Sequence, residues 1–394
     1  MNQVPFSIEN FSLFRGDPLF RLMRALRLGH PLKGLGVRSA LALCALTWLP
    51  LLALSLAQGL AFGNGVQIPF LFDFAASVRF LLALPLMIMV ERLVDIRISG
   101  VLKHLVQSGL VADDALSTLQ SIAGTAQRLC NSVLGEVAGL ALVVFGVIYL
   151  RIEISGSLTS WQFLPDSPGS SRTLAGWWYI LVSIPVFQFL FYRWIWRYLI
   201  WTWMLWRISR LDLRLIPTHP DRAAGLSIIG LAQLGFAILA VALSSVISAA
   251  YAQDFLLGTT TIGEAEVTVV GYVILMLAIF LTPPCFFTGV LFRVQLIGLR
   301  DYGALANRYT LDFHRKWIEG KAPAGEPLVG SADIQSLADL ANSYAVIRTI
   351  LYAPLDPGTV LLPIVACIVL PLLPATLTAV PIHQIAHEII TRLL

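Results

Sequence analysis

The stretch RLDLRLIPTHPDRAAGL, residues 210–226, decides the fold. Arginines lead into His219-Pro220-Asp221, and an apolar run, 226–250, follows at once. Three readings compete: a catalytic tripeptide, a metal site, or the start of a membrane helix. Thr218 with Asp221 three residues on has the spacing of a capping box, in which two side chains satisfy free N–H groups of a helix's first turn. A carboxylate there also meets the positive end of the helix dipole. A metal needs more ligands, and no second histidine lies nearby in sequence. The capping reading leads. Thr218 and Asp221 are expected to cap the helix, Arg222 to stay at the lipid headgroups, and His219 to carry no chemistry.

The apolar run is one of seven. Roughly 20 apolar residues cross a bilayer as a helix. Segments 39–62, 75–94, 132–151, 176–196, 226–250, 268–291 and 358–380 qualify. The last is interrupted by Pro363, Pro371 and Pro374, so a kinked or re-entrant path is open to it. Of the 394 residues only 13% are charged, and mean hydropathy is +0.78. A soluble domain carries about 25% charge. The expectation is an all-α polytopic bundle of about seven spans.

Charge sets the expected orientation. Segments 1–38, 92–131, 193–222 and 293–348 hold 23 of the 27 Lys and Arg residues. Of the intervening loops 63–74, 152–175 and 251–267, only the second holds a basic residue, Arg172, with Arg151 at its edge. The positive-inside rule then puts the N-terminus in the cytoplasm and, with seven spans, the C-terminus outside. The expected organisation is a basic amphipathic segment (1–38), a six-span core (39–291) with cytoplasmic helices at 95–131 and 197–222, a cytoplasmic helical segment (292–356), and a proline-rich seventh span with a C-terminal helix (357–394).

The cytoplasmic parts show helical periodicity. After Asp17-Pro18, Leu19, Leu22, Met23 and Leu26 share a face opposite Arg21, Arg24 and Arg27, as in an interfacial helix on anionic headgroups. Leu116, Leu119, Ile122, Ala123 and Ala126 predict a second amphipathic helix over 113–130. A third is expected over 293–318, and a fourth from Ser331 to about 351 with Ile334, Leu337, Ala341 and Tyr344 inward. No internal repeat is evident. Seven of the ten tryptophans lie in 176–215, where Trp177 and Trp178 would mark the outer boundary and Trp194 onward the inner one. Arg193, Arg197, Arg207, Arg210 and Arg214 would share one face of a helix of about 40 residues, unless it bends at the boundary.

Few ionisable groups lie within spans, and such groups are costly and often functional. Glu136 and Arg79 sit at opposite depths. Arg79 can snorkel outward. Glu136 is expected to pair with Arg193 or Arg197 across the hairpin of the third and fourth spans. His383 and His387 stand four apart, but Gln384 occupies the position where a metalloprotease helix needs Glu. Pro50, Pro85, Pro185, Pro283-Pro284 and the prolines of the seventh segment leave carbonyls that need neighbours or cavity water. Gly225, Gly230 and Gly235 with Ser244, Ser245 and Ser248 make the fifth span a small-residue helix, expected at the centre.

VRFLLALPLMIMVERLV (78–94), RLDLRLIPTHPDRAAGL (210–226) and EPLVGSADIQSLADLANSYAVIR (326–348) together resemble a family of uncharacterised bacterial multi-pass inner-membrane proteins. The resemblance covers most of the chain and implies an inner-membrane location, with no activity attached. Its pattern has Gly directly after Arg-Ala, where this chain has Ala224 before Gly225.

No nucleotide loop, nucleophile elbow, redox pair or metal spacing is evident, so no enzyme activity, cofactor or nucleic-acid partner is expected. Membrane lipids are the expected partner, and a homo-oligomer is compatible with the sequence. The leading reading is a channel or transporter with an arginine-lined cytoplasmic mouth. The alternative is a scaffold or sensor engaging lipid or a protein partner through its cytoplasmic helices. A polar cavity lined by Glu136 or Gln188 favours the first, and a solid small-residue core the second.

Overall fold

The structure, a computed structural model, describes residues 11–14, 18–27, 36–62, 65–153, 159–163 and 171–379. Asp17 and the C-terminal stretch with His383 and His387 lie outside these residues, as does the side chain of Glu136. The described chain is all-α: α1 (Pro18–Ala25), α2 (Val37–Ala57), α3 (Phe74–Gln107), α4 (Leu116–Cys130), α5 (Val133–Glu153), α6 (Leu174–Ile208), α7 (Ser227–Leu257), α8 (Ile262–Cys285), α9 (Thr288–Phe313), α10 (Ala332–Arg348) and α11 (Pro357–Thr378). Six helices, α2, α3, α6, α7, α8 and α11, are long and apolar enough to cross a membrane. The seventh apolar helix is α5, with 21 residues. The chain is therefore a multi-pass membrane protein.

The fifth span is the centre, as its small residues require. In α7, 61% of the apolar window is buried, against 11% in the peripheral α8. Side chains there must be small. A Cβ on Gly230 would overlap the Pro354 carbonyl, and one on Gly235 would press on Arg97 and Val94 of α3. The Ala375 amide of α11 donates to Ser248 Oγ (3.1 Å). Gly230 thus touches the start of α11 and Ser248 its end. Those 18 positions span about 27 Å at 1.5 Å per residue, close to the roughly 30 Å hydrocarbon core. The proline-rich seventh segment runs alongside α7 over that length instead of turning back.

Proline explains most irregularities. Proline has no N–H, and its ring crowds the carbonyl four residues earlier. Leu84-Pro85, Ile184-Pro185 and Leu362-Pro363 each follow a five-residue π-helical turn, Arg79–Ala83, Tyr179–Ser183 and Pro357–Leu361. The widened turn makes room for the ring. Three other freed carbonyls are taken by neighbouring side chains. Leu46, four before Pro50, accepts from Trp178 Nε1 (3.2 Å). Ile279 and Phe280, four before Pro283 and Pro284, accept from the Tyr198 hydroxyl (2.6 Å) and Gln233 Nε2 (2.7 Å).

An internal repeat, which the amino-acid pattern hides, appears in the order of local features. Helices α3 and α6 match at an offset of 100 residues. Asp73 and Thr173 each cap by accepting from the amide three residues on. The π-turns start at Arg79 and Tyr179, and Pro85 corresponds to Pro185. Phe80 and Ile180, Val94 and Trp194, and Val101 and Trp201 are buried in pairs. A preceding apolar helix, α2 or α5, completes each unit.

Four further expectations are corrected. Trp194 and Trp201 do not line a membrane boundary; both are fully buried between helices, with indole N–H groups on the Met87 carbonyl and Gln233 Oε1 (both 3.0 Å). Helix α6 ends at Ile208, so Arg210 and Arg214 lie beyond it rather than on its face. In α1 the buried pair is Phe20 and Met23, while Leu26 is exposed. In α10 Ile334 and Ala341 face outward, and the packed side is Leu337, Tyr344 and Ile347. Ser331 stands at its N-cap position without a side-chain capping bond. Helix α4 buries Leu119, Ile122, Ala123 and Ala126 as its periodicity predicts.

Candidate functional site

A cavity of about 430 Å³ opens where the loops before α3 and α6 meet. That end is built tightly. Trp161 is buried between the loops, its indole N–H donates to Asp73 Oδ2 (3.0 Å), and its ring packs edge-on against Phe70 and Tyr179. Thr173 Oγ1 donates to the Trp161 carbonyl (2.8 Å). A Cβ on Gly176 would overlap the Gln162 backbone, so only glycine lets this loop close over the helix start.

The repeated π-turns place the chemistry. The first residue of each, Arg79 and Tyr179, lines the cavity, and Arg79 Nη1 donates to the Tyr179 hydroxyl (2.5 Å). The guanidinium also lies 5.8 Å from the centre of the Phe187 ring. Arg79 is therefore turned into the cavity, where a simple outward snorkel was expected. Gln162, Arg172, Gln188 and Gln253 complete the polar wall, and Ile180, Ile184 and Phe187 the apolar one. Arg172 stacks over Phe163 at 4.9 Å. Below the cavity the bundle is filled: Trp194, Trp201 and Phe236 pack ring on ring.

At the opposite end two carboxylates face two arginines. Glu91 and Asp95 lie one turn apart on α3, and Arg193 and Arg197 one turn apart on α6; all four are buried. The arginines therefore form no open mouth. Arg193 makes a two-pronged ion pair with Glu91, a partner absent from the expected Glu136 pairing. Arg197 donates to the Cys130 carbonyl (2.6 Å). Asp95 accepts from Ser12 Oγ and the Leu13 amide (each 2.8 Å). The N-terminal segment 11–14 thus plugs this end, with Phe14 against Trp194 (5.0 Å) and under the Arg193 guanidinium (5.4 Å). Glu91 and Asp95 escaped the sequence reading because MVERLVDIR looks like charges at a headgroup boundary. Only the spacing of four hinted that they share a face.

The tripeptide at 219–221 is structural, in a form the capping box does not describe. Helix α7 starts at Ser227, six residues after Asp221, and Thr218 makes no capping bond to it. The Asp221 carboxylate instead gathers a loop, accepting from the amides of Ala223 (2.9 Å), Gly225 (3.1 Å) and Ser227 (3.1 Å). Burial pushes this carboxyl up, but those three amides and His219 outweigh it, and its pKa lies below the ordinary value. His219 Nδ1 stands 2.7 Å from Asp221 Oδ1, so the imidazole braces the carboxylate. Arg222, expected to stay at the headgroups, pairs with Asp356 (2.6 Å), and its carbonyl accepts from the Leu351 amide (2.8 Å). The loop requires Arg222, Ala224 and Gly225 in the left-handed region (φ 56°, 53° and 96°).

Among the described residues no group of three or more His, Cys, Asp or Glu stands together as a metal site. No protein-family profile, curated protein or solved structure matches the chain. What the fold and site define is a class: an all-α, multi-pass membrane protein with a polar cavity at one end and a buried charge cluster at the other.

Proposed function

We propose that the protein is a transport protein that takes up a small solute through this cavity. The carrying observation is the cavity itself: about 430 Å³, set between two repeated units, with an intramembrane arginine turned into it. Binding cavities of small molecules run from about 300 to 1,000 Å³. Intramembrane ionisable groups mark solute pathways, and repeated units commonly hold the site of a carrier between them. The packed layer of Trp194, Phe236 and Trp201 beneath suits a carrier closed on one side better than an open channel. The positive-inside asymmetry supports an outward-opening cavity, a cytoplasmic N-terminus and an external C-terminus. The resemblance of 78–94, 210–226 and 326–348 to bacterial inner-membrane proteins supports that membrane as its location.

The cytoplasmic end favours one second reading. The hairpin of α9 and α10 exposes Leu305, Leu311, Val329 and Ile334, a surface suited to a protein or lipid partner, as a scaffold needs. The experiment that separates the two is cavity filling. Gln188→Trp, tested in proteoliposomes and cells, is expected to abolish solute uptake and leave abundance unchanged. A phenotype that survives Gln188→Trp but is lost on charging Val329 would replace the transport reading with the scaffold one.

A further inference from the structure

We infer that the solute is a small organic monoanion, a carboxylate bearing hydrogen-bond donors, and that Arg79 is the residue that recognises its charge. The inference rests on the transport reading and names its substrate class. An arginine inside a membrane span is costly and is kept with a partner. The described neighbours of Arg79 are neutral: the Tyr179 hydroxyl (2.5 Å) and the Phe187 ring. No described carboxylate lies within 4 Å of it. The Asp73 carboxylate, also on the wall, is occupied by the Ala76 amide (2.8 Å) and the Trp161 indole (3.0 Å). A guanidinium has five N–H donors in a planar fork that fits a carboxylate with two parallel bonds. Only one of those donors is used on Tyr179.

The other walls define the rest of the ligand. Gln188 and Gln253 both line the cavity. A side-chain amide both donates and accepts, so the two suit hydroxyl or amino groups on the ligand. Ile180, Ile184 and Phe187 offer room for a short carbon skeleton. The Asp73 carboxylate on the same wall would repel a second anionic group, so the ligand carries one negative charge.

The test uses the full chain in uncharged detergent and reads melting temperature against lactate, glycerate and 3-hydroxybutyrate. Lactamide and glycerol serve as neutral counterparts, and phosphatidylglycerol as the lipid source of an oxyanion. At least one carboxylate is expected to protect saturably and its neutral counterpart not at all. Arg79→Gln is expected to weaken that binding at least tenfold, and Arg79→Lys, which keeps the charge but loses the fork, at least threefold. If Arg79→Gln does not fold, Arg79→Lys decides. Protection by none of the carboxylates, unchanged affinity in Arg79→Lys, or protection by phosphatidylglycerol alone overturns the inference. Binding of the neutral compounds that persists in Arg79→Gln but vanishes in Gln188→Trp overturns the anion assignment and leaves the transport reading standing. No saturable protection by any solute overturns both.

Discussion

Replacing Gln233 by Leu should destabilise the bundle through a deficit that can be counted. Gln233 is fully buried in α7. Its oxygen accepts from Trp201 Nε1 (3.0 Å), and its amide donates to the Tyr198 hydroxyl (2.8 Å) and the Phe280 carbonyl (2.7 Å). The Phe280 carbonyl needs that donor because Pro284 has no N–H to offer it. Leucine matches the volume but leaves the Trp201 N–H and the Phe280 carbonyl buried and unpaired. Each orphan costs about 1–3 kcal/mol in water-soluble proteins, whereas a side-chain hydrogen bond within a membrane averages about 0.6 kcal/mol. The expected loss is about 2–4 kcal/mol, measured by reversible denaturant titration in bicelles. Pro284→Ala restores an N–H four residues after Phe280. The pair Gln233→Leu with Pro284→Ala should therefore cost about 1 kcal/mol less than the two single changes summed. A neutral Gln233→Leu, or strict additivity with Pro284→Ala, refutes the argument that side chains replace the backbone donors lost to proline.

Other consequences are equally direct. Glu91→Gln removes the carboxylate that pairs with buried Arg193 and should cost about 3–5 kcal/mol, while an added Arg193→Met should recover part of that in a double-mutant cycle. Because the folded-state pKa of Asp221 lies below its unfolded value, its contribution is present above about pH 4 and is lost as pH falls through the folded pKa. Asp221→Asn should flatten that acid limb of thermal stability, with the difference from wild type shrinking as pH drops from 7 to 3. Ala224→Gly removes a left-handed alanine, a penalty of about 1–2 kcal/mol partly offset by the entropy of glycine. Its melting temperature should rise.

How much of this was legible follows from the distance over which each feature is encoded. The central α7 and the buried face of α4 are written in local hydropathy and periodicity and appear where those patterns place them, whereas the sixth apolar helix is Ile262–Cys285, shifted from the expected 268–291 because the chain breaks at Phe286–Phe287. The prolines also announced freed carbonyls, but the donors, Trp178, Tyr198 and Gln233, sit on other helices and cannot be read from the breaks. The repeat escaped notice because Arg79 corresponds to Tyr179 and Asp73 to Thr173: what is kept is the cap, the widened turn and the burial pattern, not the residues. Asp73 carries no local signal of its role, because Trp161, the residue that donates to its carboxylate, lies 88 positions away. Asp221 shows the opposite error. The capping spacing was right about a carboxylate serving backbone amides, but with the left-handed turn at Arg222–Gly225 the N-cap is Leu226 rather than Thr218, eight residues on.

The central claim is a water-filled cavity that opens on the outer face and ends at Gln188. It is tested most directly by cysteine labelling in intact cells, with Cys44, Cys130, Cys285 and Cys367 replaced. A membrane-impermeant thiol reagent added outside is expected to modify Gln188→Cys and Ile184→Cys rapidly and Trp194→Cys not at all. Labelling of Gln188→Cys only after the inner face is exposed, or equal protection of all three positions, would contradict the account.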